Sequence, residues 1–157
     1  MFLKSKKISV FAPCKGEVIP LDNVPDEVFS GRILGDGCAV DSKDEMIYAP
    51  IDGEITMVSD TYHAYAIRAK EGFEILVHIG IDTVKLKGDG FIPHVQVSQK
   101  ISVGDPLVSV DFEKISKKGF CTFTILVVSP HPTVQRVEIT NTIANKNSDE
   151  IFVIIRK

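Results

Sequence analysis

His63, within Asp60-Thr61-Tyr62-His63-Ala64, and His78, within Ile75-Leu76-Val77-His78-Ile79-Gly80-Ile81-Asp82-Thr83-Val84, lie in or beside apolar, strand-like runs. A histidine among Val and Ile is costly to bury unless it is hydrogen-bonded. Fifteen positions apart, the two could face each other across neighbouring antiparallel strands. Two converging imidazoles suit phosphoryl acceptance or metal binding. Gly80 and the later Gly88-Asp89-Gly90-Phe91 permit close backbone approach to whatever occupies the histidines. The other two histidines, His94 after Ile92-Pro93 and His131 between Pro130 and Pro132, read as ordinary surface loop residues.

Strands are the elements expected to position the pair. Short runs rich in Val and Ile recur at 8–12, 54–58, 64–69, 73–79, 107–110, 123–128 and 151–155, bounded by Gly, Pro, Asp and Asn. They are too short for most helices and predict an all-β, antiparallel sandwich or barrel-like fold. Several are apolar at consecutive positions, which predicts that both faces are covered. Helix is expected only as a turn at 26–30, after Pro25, and a short amphipathic piece at 111–118, with Phe112, Ile115 and Ser116 among charged residues. An internal echo relates Ala12-Pro13-Cys14-Lys15-Gly16-Glu17-Val18 to Ala49-Pro50-Ile51-Asp52-Gly53-Glu54-Ile55, thirty-seven positions on. It suggests duplicated β-motifs whose equivalent strands could lie side by side.

The chain has 157 residues, 44% hydrophobic and 25% charged, which fits one domain over 1–157 with a real core. A formal net charge of −3, with no basic stripe interleaved with aromatics, argues against nucleic acid as a partner. The run Lys4-Ser5-Lys6-Lys7 reads as a solvated terminus. No stretch is long enough to span a bilayer, and Met1-Phe2-Leu3-Lys4 lacks the apolar core of a secretion signal, so a cytoplasmic location is expected. Cys14, Cys38 and Cys121 are scattered, with no CxxC pair, and read as core residues.

Ala49-Pro50-Ile51-Asp52-Gly53, Thr61-Tyr62-His63-Ala64, the segment Glu74 to Val84, Leu86-Lys87-Gly88-Asp89-Gly90-Phe91 and Val103-Gly104-Asp105 occur in order. With Val24-Pro25-Asp26-Glu27-Val28-Phe29 and Gly35-Asp36-Gly37, they make nearly the whole chain resemble the glucose-type enzyme IIA of the bacterial phosphoenolpyruvate-dependent sugar phosphotransferase system. The resemblance implies a β-sandwich built on a duplicated hybrid motif and a phosphotransferase component that needs no cofactor. His78 matches the phosphorylated histidine, His63 the second active-site histidine and Thr61 a supporting hydroxyl. The implied donor is the small histidine-containing phosphocarrier protein, and the implied acceptor is a cysteine in the IIB domain of a sugar permease. Asp26 and Asp82 match acids that meet basic residues on partners, and Val28, Phe29, Ile79 and Val84 are expected to form an apolar docking platform around the histidines. Departures fall in loops: Tyr62 replaces a smaller or polar residue, Ser129-Pro130-His131-Pro132 replaces a Ser-Asn pattern, and Asn145-Lys146-Asn147 lacks a glycine.

The residue types suit that chemistry. A neutral imidazole keeps one nitrogen lone pair as nucleophile, and burial among Val77, Ile79 and Ile81 disfavours the charged ring that cannot attack. The Nδ1–H of His78 is expected on a backbone carbonyl, at Gly80, which leaves Nε2 for phosphorus. His63 would donate to the phosphoryl oxygens, oriented by Thr61. No nucleotide loop GxxxxGK[ST] is present, and Gly35-Asp36-Gly37 reads as a tight turn.

The main alternative is a zinc-dependent hydrolase using His63 and His78. Neither the HxH pair nor the HExxH pattern of such enzymes occurs, so no metal site is expected beyond incidental zinc on the two histidines, completed by a partner's carboxylate. A biotinyl or lipoyl carrier is a further rival, but no Met-Lys-Met or Asp-Lys-Ala motif presents the lysine it requires.

Overall fold

Runs of β-branched residues cut by turn formers fold here as strands joined by short connections. The structure, a computed structural model, describes residues 6–157. The Met1-Phe2-Leu3-Lys4 segment, and the first half of the Lys4-Ser5-Lys6-Lys7 run, lie outside the described residues. In chain order the elements are β1 (Lys7–Phe11), β2 (Gly16–Pro20), α1 (Glu27–Ser30), β3 (Asp36–Ser42), β4 (Met46–Tyr48), β5 (Gly53–Val58), β6 (Ala64–Arg68) and β7 (Glu74–Ile79). They continue as β8 (Phe91–Pro93), β9 (Lys100–Ile101), β10 (Pro106–Val110), α2 (Phe112–Lys117), β11 (Phe123–Val128), β12 (Val134–Ile139), β13 (Ile143–Ala144) and β14 (Glu150–Arg156).

Every strand pair is antiparallel. A large sheet has the order β13-β2-β3-β11-β7-β6-β5-β9, and two three-stranded sheets, β1-β14-β12 and β4-β10-β8, accompany it. The all-β sandwich expected from the sequence is the fold observed.

The duplicated motif takes a different place from the one expected. Gly16 opens β2 and Gly53 opens β5, yet the two strands are not neighbours: each is second from its own end of the large sheet. Between them β3-β11-β7-β6 supplies two inner strands to each half. The echo therefore reports a near-symmetric sheet, in which equivalent hairpins β2-β3 and β5-β6 flank the central β11-β7 pair.

Alternation along the central strands feeds two cores. On one face Val77, Ile79, Leu126, Val40 and Tyr65 join Val10, Phe152, Leu107 and Ile115 in the main core. On the other, Ala39, Ile125 and Val127 pack with Leu21, Val24 and Phe29, so the segment around α1 covers this face. That is why runs such as Ile125 to Val128 are apolar at every position.

Both short helices form where expected. Asp26 caps α1 by accepting from the Val28 amide at 2.9 Å, and Asp111 caps α2 from Lys114 at 3.1 Å. The strand β12 escaped the sequence pattern because its side chains are mostly exposed and its pairing to β14 is made by backbone. Gly35-Asp36-Gly37 is not the tight turn expected: Asp36 and Gly37 begin β3, paired with Val128 and Val127. A Cβ at Gly37 would collide with the Leu126 carbonyl, so the glycine serves close strand approach.

Candidate functional site

His78 lies near the end of β7, half-buried, directly opposite Ile125 of β11 and Ala64 of β6. Its face of the sheet is that of the smaller core, and the Phe29 ring stands 5.0 Å from its own, centroid to centroid, tilted by 56°. Val77 and Ile79, expected around this histidine, point to the opposite face, because neighbouring strand residues alternate. Ile81 does pack with the smaller core.

The partner across from His78 in register is Ala64, one residue beyond His63. Had β6 continued in register to His63, that side chain would have faced the main core. Instead His63 ends the 59–63 loop between β5 and β6, which Ser59 closes by donating its amide to the Ala64 carbonyl at 2.9 Å. Tyr62 turns the chain with φ +62°, the left-handed region. The Ile79 amide donates to the His63 carbonyl at 2.8 Å. The two rings thereby meet edge to face, centroids 5.1 Å apart at 85°.

Each ring is held through Nδ1. For His78 the partner is the Gly80 carbonyl at 2.9 Å; a carbonyl only accepts, so Nδ1 carries the proton and Nε2 keeps its lone pair. For His63 two hydroxyls converge, Thr61 at 2.7 Å and Ser59 at 3.4 Å. Ser59 was not anticipated; the signal available was its place two residues before Thr61 and four before His63.

The Gly80 carbonyl is aimed by a constrained turn. Gly80 has φ +71°, and its amide donates to the Phe123 carbonyl at 2.7 Å. A Cβ there would press on Thr83 Cγ2 and lie 2.9 Å from the Cys121 carbonyl oxygen.

Burial dominates the electrostatics. It pushes the His78 pKa down from 6.5 to about 4, helped by the neighbouring His63 and opposed by the Gly80 bond and the charges of Asp26 and Asp82. Burial also lowers His63. Both rings are neutral near pH 7, as a nucleophilic imidazole requires.

Around the pair, Val28 and Val84 are exposed, at 41% and 51%. Phe29 and Ile79 are not part of that surface: Phe29 is turned inward from α1 onto His78, and Ile79 is fully buried in the main core by strand alternation. Ile33 and Leu34, just after α1, are exposed apolar residues that the sequence pattern did not single out. Asp26 is also a helix cap, while Asp82 is exposed with φ +59° and makes no side-chain cap bond. His94 bonds Ser109 at 2.7 Å and His131 bonds Thr133 at 2.7 Å, away from the pair. The described residues hold no group of three or more His, Cys, Asp or Glu side chains placed for a metal ion.

Comparison with known proteins gives the family. The family model described as phosphoenolpyruvate-dependent sugar phosphotransferase system, EIIA 1, matches residues 8–134. A "PTS system glucose-specific EIIA component" of Bacillus cereus is 39% identical over 155 residues, covering 98% of this chain and 94% of that protein. Its counterpart in Mycoplasma capricolum is 46% identical over 118 residues, covering 75% and 77%. The solved glucose permease IIA from Mycoplasma capricolum superposes with a TM-score of 0.90 at 38% identity, over 98% of this chain and 99% of that one. The chain belongs to the EIIA family of the phosphoenolpyruvate-dependent sugar phosphotransferase system, and so is a phosphotransferase-system component with a phosphocarrier role.

Proposed function

We propose that His78 is the phosphoryl acceptor, that the donor is the histidine-containing phosphocarrier protein, and that the phosphoryl group passes on to a cysteine of a permease IIB domain. The observation that carries this reading is the fixed tautomer of His78: Nδ1–H on the Gly80 carbonyl at 2.9 Å, Nε2 bare, and a second imidazole 5.1 Å away. Nε2 attacks phosphorus, the N–P bond to the donor histidine breaks, and the donor ring leaves with the electron pair. Nδ1–H stays on Gly80 throughout. In the second step a cysteine thiolate attacks phosphorus and His78 leaves, neutral again.

His63 serves the transferred group. In this reading Thr61, with Ser59 beside it, donates to its Nδ1, and its proton sits on Nε2, where it can donate to a phosphoryl oxygen as charge develops. Thr61 thus orients His63. Asp26, Asp82, Val28 and Val84 ring the pair as the docking surface, with Phe29 behind His78 as its packing support. The chain acts as a single domain over 1–157 in the cytoplasm; among the described residues no helix is long and apolar enough to cross a membrane. The names of its relatives support glucose as the sugar served.

The test is transfer of labelled phosphate from phosphoenolpyruvate through enzyme I and the phosphocarrier protein. Label that is acid-labile, alkali-stable and lost in His78→Ala supports the acceptor. If His63→Gln takes up label but fails to pass it to the IIB domain, His63 serves transfer. Absence of label on the wild-type chain would overturn the reading.

A further inference from the structure

We propose that Thr83 is a positioning residue for the acceptor histidine: its buried hydroxyl anchors the Ile79 carbonyl and thereby holds the Gly80 carbonyl on Nδ1 of His78. This rests on the reading of His78 as phosphoryl acceptor. Three buried polar side chains stand out among the described residues, Ser42, Thr83 and Thr124. Ser42 and Thr124 bond each other at 2.8 Å. Thr83 instead gives its proton to the backbone of the residue between His78 and Gly80.

Ile79 is held through both of its backbone polar groups. Its amide donates to the His63 carbonyl at 2.8 Å, and its carbonyl accepts from Thr83 Oγ1. The Gly80 amide, in the same peptide unit as the Ile79 carbonyl, donates to the Phe123 carbonyl at 2.7 Å. The Thr83 methyl lies where a side chain at residue 80 would point, so the φ +71° turn closes onto Thr83. Thr83 therefore supplies two separable things: a hydroxyl that fixes Ile79, and a methyl that fills the turn. Without the hydroxyl, the Ile79 carbonyl is left buried without its partner, the turn relaxes, and the acceptor for Nδ1–H moves. A ring freed in this way populates the other tautomer, with the proton on Nε2 and no lone pair facing phosphorus.

The experiment compares Thr83→Val, which keeps the shape and loses the hydroxyl, with Thr83→Ser, which does the reverse. Thr83→Ala is read in parallel so that the comparison does not hang on one variant folding. Nitrogen NMR of the His78 ring reports its tautomer without any phosphoryl transfer, so its outcome is independent of the acceptor reading. The expected result is a single Nδ1–H tautomer in wild type and Thr83→Ser, a mixture in Thr83→Val and Thr83→Ala, and phosphoryl acceptance slowed roughly tenfold to a hundredfold in the latter two. If the hydroxyl-free variants keep the wild-type tautomer and acceptance rate and lose only thermal stability, Thr83 is a structural residue and the proposal fails. It also fails if Thr83→Ser shifts the tautomer as far as Thr83→Val, because the methyl is then what matters. Failure of the wild-type chain to take up phosphate would overturn the acceptor reading instead.

Discussion

The Ile79 amide donates to the His63 carbonyl at 2.8 Å while Ala64, not His63, stands opposite His78 in register. His63 is thus fixed to the strand carrying His78 by backbone, yet its side chain is released from strand alternation by the loop that ends at it. The His63 ring is held by the loop hydroxyls of Thr61 and Ser59, and the His78 ring by the Gly80 carbonyl. Their neutrality comes from burial.

That burial has a pH signature. The folded pKa of His78, about 4, lies below the unfolded value of 6.5, so the unfolded chain binds more protons between those values and stability is lost as pH falls through that window. At about 1.4 kcal/mol for each tenfold change in proton affinity, the full loss is on the order of 3 kcal/mol, and His63 adds to it in the same direction. Urea unfolding at pH 7.5 and 4.5 should show a smaller acid loss in His78→Gln than in wild type. Equal losses would mean that His78 is not buried as described.

Gly80→Ala should destabilise by about 2 kcal/mol or more. The residue would carry a Cβ at φ +71° against Thr83 and the Cys121 carbonyl. Denaturant midpoints measure this, and His78 phosphorylation should fall with it.

Thr61→Val removes the shorter of two hydroxyl bonds to one nitrogen. The expected effect on onward transfer is about 1 kcal/mol, a roughly fivefold slowing. Because Ser59 bonds the same Nδ1, Ser59→Ala should slow transfer more in the Thr61→Val background than alone. Additive effects in a double-mutant cycle would show that the two hydroxyls act separately.

Asp26→Asn and Asp82→Asn separate charge from structure. Asn caps a helix as well as Asp does and tolerates the φ +59° of residue 82. Each variant should keep its stability, take up phosphate from the donor more slowly at low salt, and show a flatter salt dependence. Initial rates across ionic strength decide this, and unchanged rates would remove both acids from the docking surface.

Tyr65→Phe should leave stability unchanged or raise it by about 1 kcal/mol. Among the described residues the buried Tyr65 hydroxyl has no hydrogen-bond partner, and the same burial holds its pKa well above the ordinary range. A clear loss in melting temperature would reveal a partner for the hydroxyl.

By itself the sequence determined the all-β class, seven of the fourteen strands among the described residues, the two short helices and the family, and it singled out the two histidines whose rings meet in the fold. The seven expected runs are β1, β5, β6, β7, β10, β11 and β14, each within one residue of its expected ends, because Val- and Ile-rich segments bounded by turn formers have few other ways to bury themselves. The Gly80 carbonyl was also legible, since a glycine two residues past a strand histidine can bring its carbonyl back to Nδ1. Other strands were not: β12 is mostly exposed and pairs through its backbone, and the inner strand β3 has an apolar run of only Cys38, Ala39 and Val40, between Gly37 and Asp41. Only the tertiary structure decided which face each residue took. It sent Ile79 into the main core and Phe29 onto His78, and set the duplicated hairpins apart instead of side by side. Register and strand order are set by contacts between distant segments, and no local run of residues encodes them.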